Sequence, residues 1–257
     1  MTRRILLTSL IILLAAGVLG CWFRFVGSHA DRVQQLAQCR RIEVILPDSL
    51  ESGIIDRQEV TDYLTRQAIG RNTLSINLDS LEKILNGRGE VMQAQVYTSD
   101  AHTLTARLTQ RIPVIRLERG GERWYADPEG YLFPVTNAVD VPIVTGHLPL
   151  DIDAQWRGPA PEENQEWMRG MIALARYIES REVLRAEIAQ IDIDESGDIV
   201  LYTRSVGPAI IFGDSGGCTD KFRKLEAWWR NIVPSLDGKT YKTINLKYNN
   251  QIICKQL

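Results

Sequence analysis

Nineteen consecutive uncharged residues near the N-terminus constrain this chain more than any other feature. Residues 5–23 read ILLTSLIILLAAGVLGCWF. As a helix rising ~1.5 Å per residue the stretch is about 28 Å long, which suits a bilayer core of roughly 30 Å. Arg3 and Arg4 precede it and Arg24 follows it. The positive-inside rule therefore predicts a cytoplasmic tail at residues 1–4, a transmembrane helix at 5–23 and an extracytoplasmic body.

The same segment carries a weak lipoprotein signal. The tetrapeptide at residues 18–21, VLGC, loosely matches the site at which bacterial lipoproteins are cleaved and lipidated. Leu19 is a poor fit directly before the glycine, and aromatic residues follow Cys21 where small polar ones are usual. No A-x-A-like site for ordinary signal cleavage is evident. We expect an uncleaved anchor and keep a lipidated Cys21 as the alternative.

The composition is that of a folded protein without an evident chemistry. Hydrophobic residues make up 44% of the 257 residues and charged residues 24%, which argues against wholesale disorder. A net charge of -2 gives no reason to expect a nucleic-acid partner. No P-loop, dinucleotide-binding, nucleophile-elbow or metal-spacing motif is present. We therefore predict no catalytic residue, cofactor, metal or small-molecule substrate.

The four cysteines are too few and too scattered for a disulfide framework. They are Cys21, Cys39, Cys218 and Cys254, and no CxxC pair or zinc spacing occurs among them. Buried free thiols are the expectation. A single disulfide between Cys218 and Cys254 is the alternative.

Residues 40–112 predict a small α+β domain of order β-α-α-β-β, with residues 24–39 as a juxtamembrane helix or linker before it. Strands are expected at 41–46, 91–97 and 103–109, and helices at 56–68 and 78–85, capped by Asp56 and Asn77. Alternation predicts an inward face in the last two strands, formed by Met92, Ala94, Val96, Leu104, Ala106 and Leu108. This order directly after a membrane anchor resembles a POTRA module; an unrelated small α+β domain is the alternative.

Residues 113–257 predict a mixed β-domain with two helices. Residues 122–135 read as strand, Asp-Pro-Glu-Gly turn and strand. The first helix is expected over 162–180 and the second over 220–232. Further strands are expected at 114–117, 141–145, 188–193, 199–203 and 209–212. The predicted buried faces of the helices are Met168, Met171, Ile172, Ala175 and Ile178 in the first, and Phe222, Leu225, Trp229 and Ile232 in the second.

The last stretch, residues 241–255, alternates between apolar and polar side chains. From residue 244 to residue 255, apolar residues occupy even positions with Asn250 as the exception, and polar residues occupy odd positions with Ile253 as the exception. The pattern favours one long half-buried strand at a sheet edge, where another chain can pair with it. A hairpin turning at residues 249–250 is the alternative.

Four stretches in this order resemble the FtsQ/DivIB family of bacterial cell-division proteins. The first is TLTARLTQRIPVIRL, with an Arg-x-Pro step at Arg111 to Pro113. The second is the hairpin WYADPEGYLFP, and the third is IIFGD followed by a helix. The fourth is TINLKYNNQIICK, in which Asn245 and Lys247 replace the usual Asp and Arg.

The resemblance implies an α+β architecture: a single N-terminal transmembrane helix, a POTRA-like domain, and a β-domain with two helices ending in an edge strand. It implies a non-catalytic scaffold in the inner (cytoplasmic) membrane at the division septum, with its bulk in the periplasm. FtsB- and FtsL-like bitopic proteins are the implied partners, one of them adding a β-strand to the terminal strand. The implied partner-binding residues are Ile244, Asn245, Leu246, Lys247, Tyr248 and Asn249. An envelope chaperone or assembly factor with a POTRA module is the alternative.

Overall fold

The computed structural model describes residues 17–22, 24, 37–46, 53–134, 137–205, 207–236, 241–248 and 251–256. The chain divides into two compact units, the first comprising residues 1–49 and 55–109 and the second 50–54 and 110–257. Residues 17–22 are helical and exposed. Over the described ranges no helix has both the length and the apolar character needed to cross a bilayer. Residues 5–16 and 23 of the predicted span, and 25–36 of the predicted juxtamembrane segment, lie outside those ranges.

The first unit has the predicted order β-α-α-β-β. Its strands form a three-stranded sheet of order β1-β3-β2, in which β1 runs parallel to β3. Asp56 accepts hydrogen bonds from two backbone amides of the first helical turn, and Asn77 accepts one from Ser80, so both predicted caps are confirmed. The elements are β1 Arg41–Ile45, α1 Arg57–Ala68, α2 Leu78–Asn86, β2 Val91–Asp100 and β3 Thr103–Gln110.

The core of the first unit confirms the inward face of β3 and corrects that of β2. Leu104, Ala106 and Leu108 are fully buried, as predicted. In β2 the predicted Met92 is 58% exposed, and Val91 is buried in its place. Two consecutive exposed residues separate the buried Val91 from the buried Ala94, after which burial alternates up to Val96. A strict period of two therefore assigns the first residues of β2 to the wrong face.

The second unit is built on a ten-stranded mixed sheet of order β13-β12-β11-β10-β9-β7-β4-β5-β6-β8. The predicted strand-turn-strand at 122–135 is present as β5 and β6. The two-residue strand β8 and the short helix α4 were not predicted from the sequence. The elements are β4 Ile115–Arg119, β5 Glu122–Ala126, β6 Tyr131–Pro134, β7 Ile143–Gly146, β8 Gly158–Pro159, α3 Gln165–Glu179, α4 Glu182–Glu187, β9 Ile188–Ile193, β10 Ile199–Thr203, β11 Ala209–Gly213, α5 Cys218–Asn231, β12 Tyr241–Asn245 and β13 Ile253–Gln256.

The two longer helices pack on the main core of this unit. All five residues predicted for the buried face of α3 are buried, together with Leu174. In α5, Phe222 and Leu225 are buried as predicted, but Trp228 completes the stripe. Trp229 is only partly buried, and Ile232 is 39% exposed. The helix ends at Asn231, so Ile232 lies beyond the last turn that packs on the sheet.

Candidate partner-binding edge

The C-terminal stretch forms a hairpin, so the preferred prediction of one long strand is wrong. β12 ends at Asn245 and β13 begins at Ile253, and these two residues are paired antiparallel. Along its other hydrogen-bonding edge, β12 pairs parallel with β11. Helix α5 supplies the crossover that a parallel β11–β12 pair requires. The terminal edge of the sheet is therefore β13, and β12 is interior.

The register shows which backbone groups of β13 face outward. The amide of Leu246 donates to the Ile211 carbonyl at 2.9 Å, so even-numbered residues of β12 bond towards β11. Odd-numbered residues of β12 then bond towards β13, which assigns the inner ladder to Ile253 and Lys255. The amide and carbonyl of Cys254 point away from β12. Within the part of the chain that the structure describes, Cys254 thus presents a donor and an acceptor at the edge without a neighbouring strand.

The side chains of the hairpin separate into a buried and an exposed set. Ile244 and Leu246 are fully buried, as expected for apolar even positions of a half-buried strand. Ile253 is 46% exposed, and Lys255 and Gln256 are exposed. Cys254 packs partly against the core beside Trp228, and this burial raises the pKa of its thiol. All four cysteines are free, so Cys218 and Cys254 are not bridged.

Two lysines form hydrogen bonds that hold residues 246–248, the segment that follows β12. The Lys224 ammonium donates to the carbonyls of Leu246 at 3.2 Å and Tyr248 at 2.7 Å. The Lys247 ammonium donates to Asp198 at 2.6 Å, in the turn between β9 and β10. This hydrogen bond raises the pKa of Lys247. Tyr248 is 48% exposed, so its aromatic side chain is accessible to a partner.

Gly213 lets the Lys247 side chain cross the sheet. Its φ is +82°, in the left-handed region that favours glycine. A Cβ at this position would lie 2.7 Å from Cγ of Lys247. The next residue, Asp214, accepts a hydrogen bond from Lys221 at 2.8 Å, which lowers the pKa of Asp214. The Phe-Gly-Asp stretch and the terminal stretch, which carried part of the resemblance, therefore meet here.

The other two resemblance stretches also meet in the structure. Arg111 pairs with Asp127 at 2.6 Å, with only 15% and 3% of the two side chains exposed. The guanidinium of Arg111 also lies over the Tyr131 ring, 3.5 Å from its centroid. Asp127 in turn accepts the amides of Glu129 and Tyr131, which fixes the turn before β6. These residues stabilise the fold and do not form a site.

An apolar cavity of about 530 Å³ opens beside the hairpin. Tyr241 and Ile244 of β12 form one wall, and Trp228 and Trp229 of α5 form another. Val183, which is 57% exposed, lies at its border. The cavity is therefore lined in part by β12, the strand that pairs with the edge strand β13.

Five of the six predicted partner-binding residues lie in β12 or directly after it. The open edge of the sheet, however, is β13. Ile244 and Asn245 lie in an interior strand with neighbours on both sides. Leu246, Lys247 and Tyr248 follow that strand, and Asn249 lies outside the described residues. The residues that form the open edge are Ile253 to Gln256, which were not predicted as an edge strand of their own. The sequence held one signal for them, because Ile253 is the apolar residue that breaks the alternation.

Comparison with known proteins identifies both units. A model described as "FtsQ/DivIB, C-terminal related" matches residues 112–255, and a POTRA-like domain model matches residues 37–109. The cell division protein FtsQ of Rhodothermus marinus is 25% identical over 264 aligned residues, covering 98% of this chain and 86% of the relative. The cell division protein FtsQ of Salinibacter ruber is 25% identical over 159 residues, covering 59% of each chain.

The first match alone spans more than half of the chain. The resemblance of the four short stretches is therefore confirmed, and the family match extends over residues 112–255. This chain belongs to the FtsQ/DivIB family of cell-division proteins.

Proposed function

We propose that this chain is a non-catalytic scaffold of the division machinery, held in the cytoplasmic membrane by residues 5–23 with its bulk in the periplasm. FtsB- and FtsL-type bitopic proteins are its partners, and one of them adds a β-strand to the C-terminal strand. Family membership supports the role in division. The open edge of β13 is the observation that carries the binding mode.

A partner strand laid along β13 would bond to the outward amide and carbonyl of Cys254. The exposed side chains of Ile253 and Lys255 flank these groups and would contact alternate residues of the partner. Backbone hydrogen bonds supply most of the affinity in this mode, and side-chain pockets supply the specificity. The apolar cavity beside β12 offers one such pocket.

The residues predicted from the sequence take different parts in this proposal. Ile244 and Leu246 anchor β12 through their buried side chains, and Asn245 pairs with Ile253 to hold β13 in register. Tyr248 contacts the partner directly. Lys247 contributes through its tether to Asp198, which keeps the chain after β12 in place. Asn249 stays a predicted contact.

The test removes the outward amide proton of β13 and separates that loss from the loss of the Cys254 side chain. Cys254→Pro lacks the amide proton that faces the edge, and proline is tolerated in edge strands when that group faces solvent. Cys254→Ala keeps the amide and serves as the matched control. The full chain is co-expressed with the FtsB- and FtsL-type proteins of the same organism and captured from detergent extracts.

We expect Cys254→Pro to reduce capture of the partner about tenfold or more, because a backbone hydrogen bond is lost and the ring intrudes on the added strand. Cys254→Ala should capture as much partner as the original chain. Lys255→Pro, which breaks the inner ladder, should lower the melting temperature more than Cys254→Pro does. Equal capture by the alanine and proline variants would rule out strand addition at β13.

A further inference from the structure

A second exposed surface lies where the chain passes into the first unit. The amide of Cys39 donates to the Arg71 carbonyl at 2.9 Å, and the amide of Gly70 donates to the Cys39 carbonyl at 2.9 Å. On the other side, the amides of Arg40 and Arg41 donate to the His102 carbonyl at 2.7 and 3.1 Å. These bonds fix the loop at residues 69–75 and the turn at residues 100–103 beside the incoming chain.

The loop at residues 69–75 presents apolar side chains to solvent. Leu74 is 75% exposed and Ile69 is 40% exposed. Leu74 lies in a 3-10 turn capped by Asn72, whose side chain accepts the Leu74 amide at 2.9 Å. The turn therefore holds Leu74 in an outward position. A large apolar side chain held in water gains free energy when an apolar phase covers it.

Three arginines lie in the segments that these backbone bonds hold together. Arg40, Arg41 and Arg71 are all exposed. The segments 37–41, 69–75 and 100–103 contain one carboxylate, that of Asp100, which accepts the His102 amide at 2.7 Å, and this bond lowers the pKa of Asp100. The surface therefore carries an excess of positive charge around a protruding leucine, the pattern of proteins that bind at a lipid interface.

We propose that this surface, formed by Arg40, Arg41, Ile69, Arg71 and Leu74, docks on the bilayer that holds the chain. The arginines bind the phosphates of anionic lipids, and Leu74 inserts at the level of the headgroups. The inference rests on the proposed membrane anchor. Only residues 24–36 separate the predicted span from Ala37, and even fully extended they reach at most about 45 Å. Docking would fix the orientation of the first unit on the membrane.

The experiment measures amide hydrogen exchange in the full chain reconstituted into lipid nanodiscs. One set of nanodiscs contains phosphatidylcholine alone, and the other contains phosphatidylcholine with phosphatidylglycerol. We expect peptides covering residues 37–41 and 69–75 to exchange about tenfold more slowly in the anionic nanodiscs. Peptides from the ten-stranded sheet should exchange equally in both.

Two pairs of variants separate docking from general effects. Leu74→Ser and the triple change Arg40→Glu, Arg41→Glu, Arg71→Glu should each abolish the difference between the two nanodiscs. Ile232→Ser and Arg204→Glu make the same kinds of change at exposed positions of the second unit, and should preserve it.

Each negative result has its own meaning. Equal exchange of residues 69–75 in both nanodiscs, with the chain incorporated, would overturn the docking surface and leave the anchor standing. Failure of the chain to incorporate into nanodiscs of either composition would overturn the anchor and the surface together. Slow exchange of residues 69–75 only when the FtsB- and FtsL-type proteins are added would assign the surface to a protein partner and overturn lipid docking. The capture of partner at β13 is measured separately and is independent of these outcomes.

Discussion

The two sheets of this protein differ in how they treat their edges. In the first unit, Asn86 of helix α2 accepts the amide of Ala94 at 2.8 Å, and Glu82 accepts the amide of Val96 at 3.0 Å. These side chains are the hydrogen-bond acceptors for the backbone amides on the outer edge of β2. In the second unit, β13 presents its outer groups without such a cover, as far as the described residues extend.

The remaining edges fit the same contrast. Arg57 of α1 donates to the carbonyl of Val44 on the outer side of β1. The far edge of the ten-stranded sheet is β8, which has two residues, one of them Pro159. Short strands, prolines and side chains that occupy edge groups all prevent unwanted pairing. Among the described residues β13 carries neither a proline nor a covering side chain, so it is the edge at which the proposed strand addition is expected.

The largest expected effect comes from uncovering the closed edge. Asn86→Ala leaves the amide of Ala94 without its acceptor, although Ala94 is only 2% exposed. An unsatisfied buried donor costs about 1–3 kcal/mol. We expect the melting temperature of the first unit to fall by several degrees, on the order of 4–8 °C for each kcal/mol in a small domain. Differential scanning calorimetry of the chain in detergent measures it.

Lys83→Ala is the matched control, because Lys83 lies in the same helix and is exposed. It should leave the melting temperature within about a degree, as most exposed substitutions do. If Asn86→Ala and Lys83→Ala melt at the same temperature, the cover on β2 contributes nothing to stability. The contrast between the two edges would then be geometric only.

The sequence predicted the closed region better than the open one. Local signals determine the first unit, because Asp56 and Asn77 cap their helices and the leucines of β3 alternate strictly. The open region depends on which strands pair with each other, and the local side-chain pattern does not determine that pairing. A strand of residues 241–255 and a hairpin over the same residues bury nearly the same side chains, since Ile244 and Leu246 face the core in both. What distinguishes them is the backbone pairing of residues 253–256 back on β12, which the alternation of side chains does not report.

The next effect is on binding and leaves the fold unchanged. Tyr248→Ala removes an aromatic side chain that is 48% exposed beside the open edge. Aromatic anchors contribute about 1–2 kcal/mol or more to an interface, so partner capture should fall about tenfold with no change in melting temperature. Tyr202→Ala is the control, because Tyr202 lies in β10 and is 43% exposed. Similar capture by the two variants would exclude Tyr248 from the interface.

The smallest effect concerns the tether that holds the chain next to the open edge. The hydrogen bond that Lys247 donates to Asp198 raises the pKa of Lys247 above its ordinary value of 10.5. A raised pKa contributes stability that is complete below pH 10.5 and is lost as the pH rises through the pKa in the folded state. Asp198→Asn removes the charge of the acceptor. It should lower the melting temperature on the order of 1 °C at neutral pH, since the pair is partly exposed.

That difference should shrink and vanish as the pH rises through the raised pKa of Lys247, because the ammonium of the original chain loses its proton there. Lys247→Met has no ammonium at any pH, so its melting temperature relative to Asp198→Asn should stay constant over the same range. A difference that persists in strong alkali would show that Asp198 acts through its packing and not through Lys247. The closed edge of β2 depends on neutral and acidic acceptors in α2, so its stability should not change across this alkaline range, and the tether and the cover are thereby distinguished.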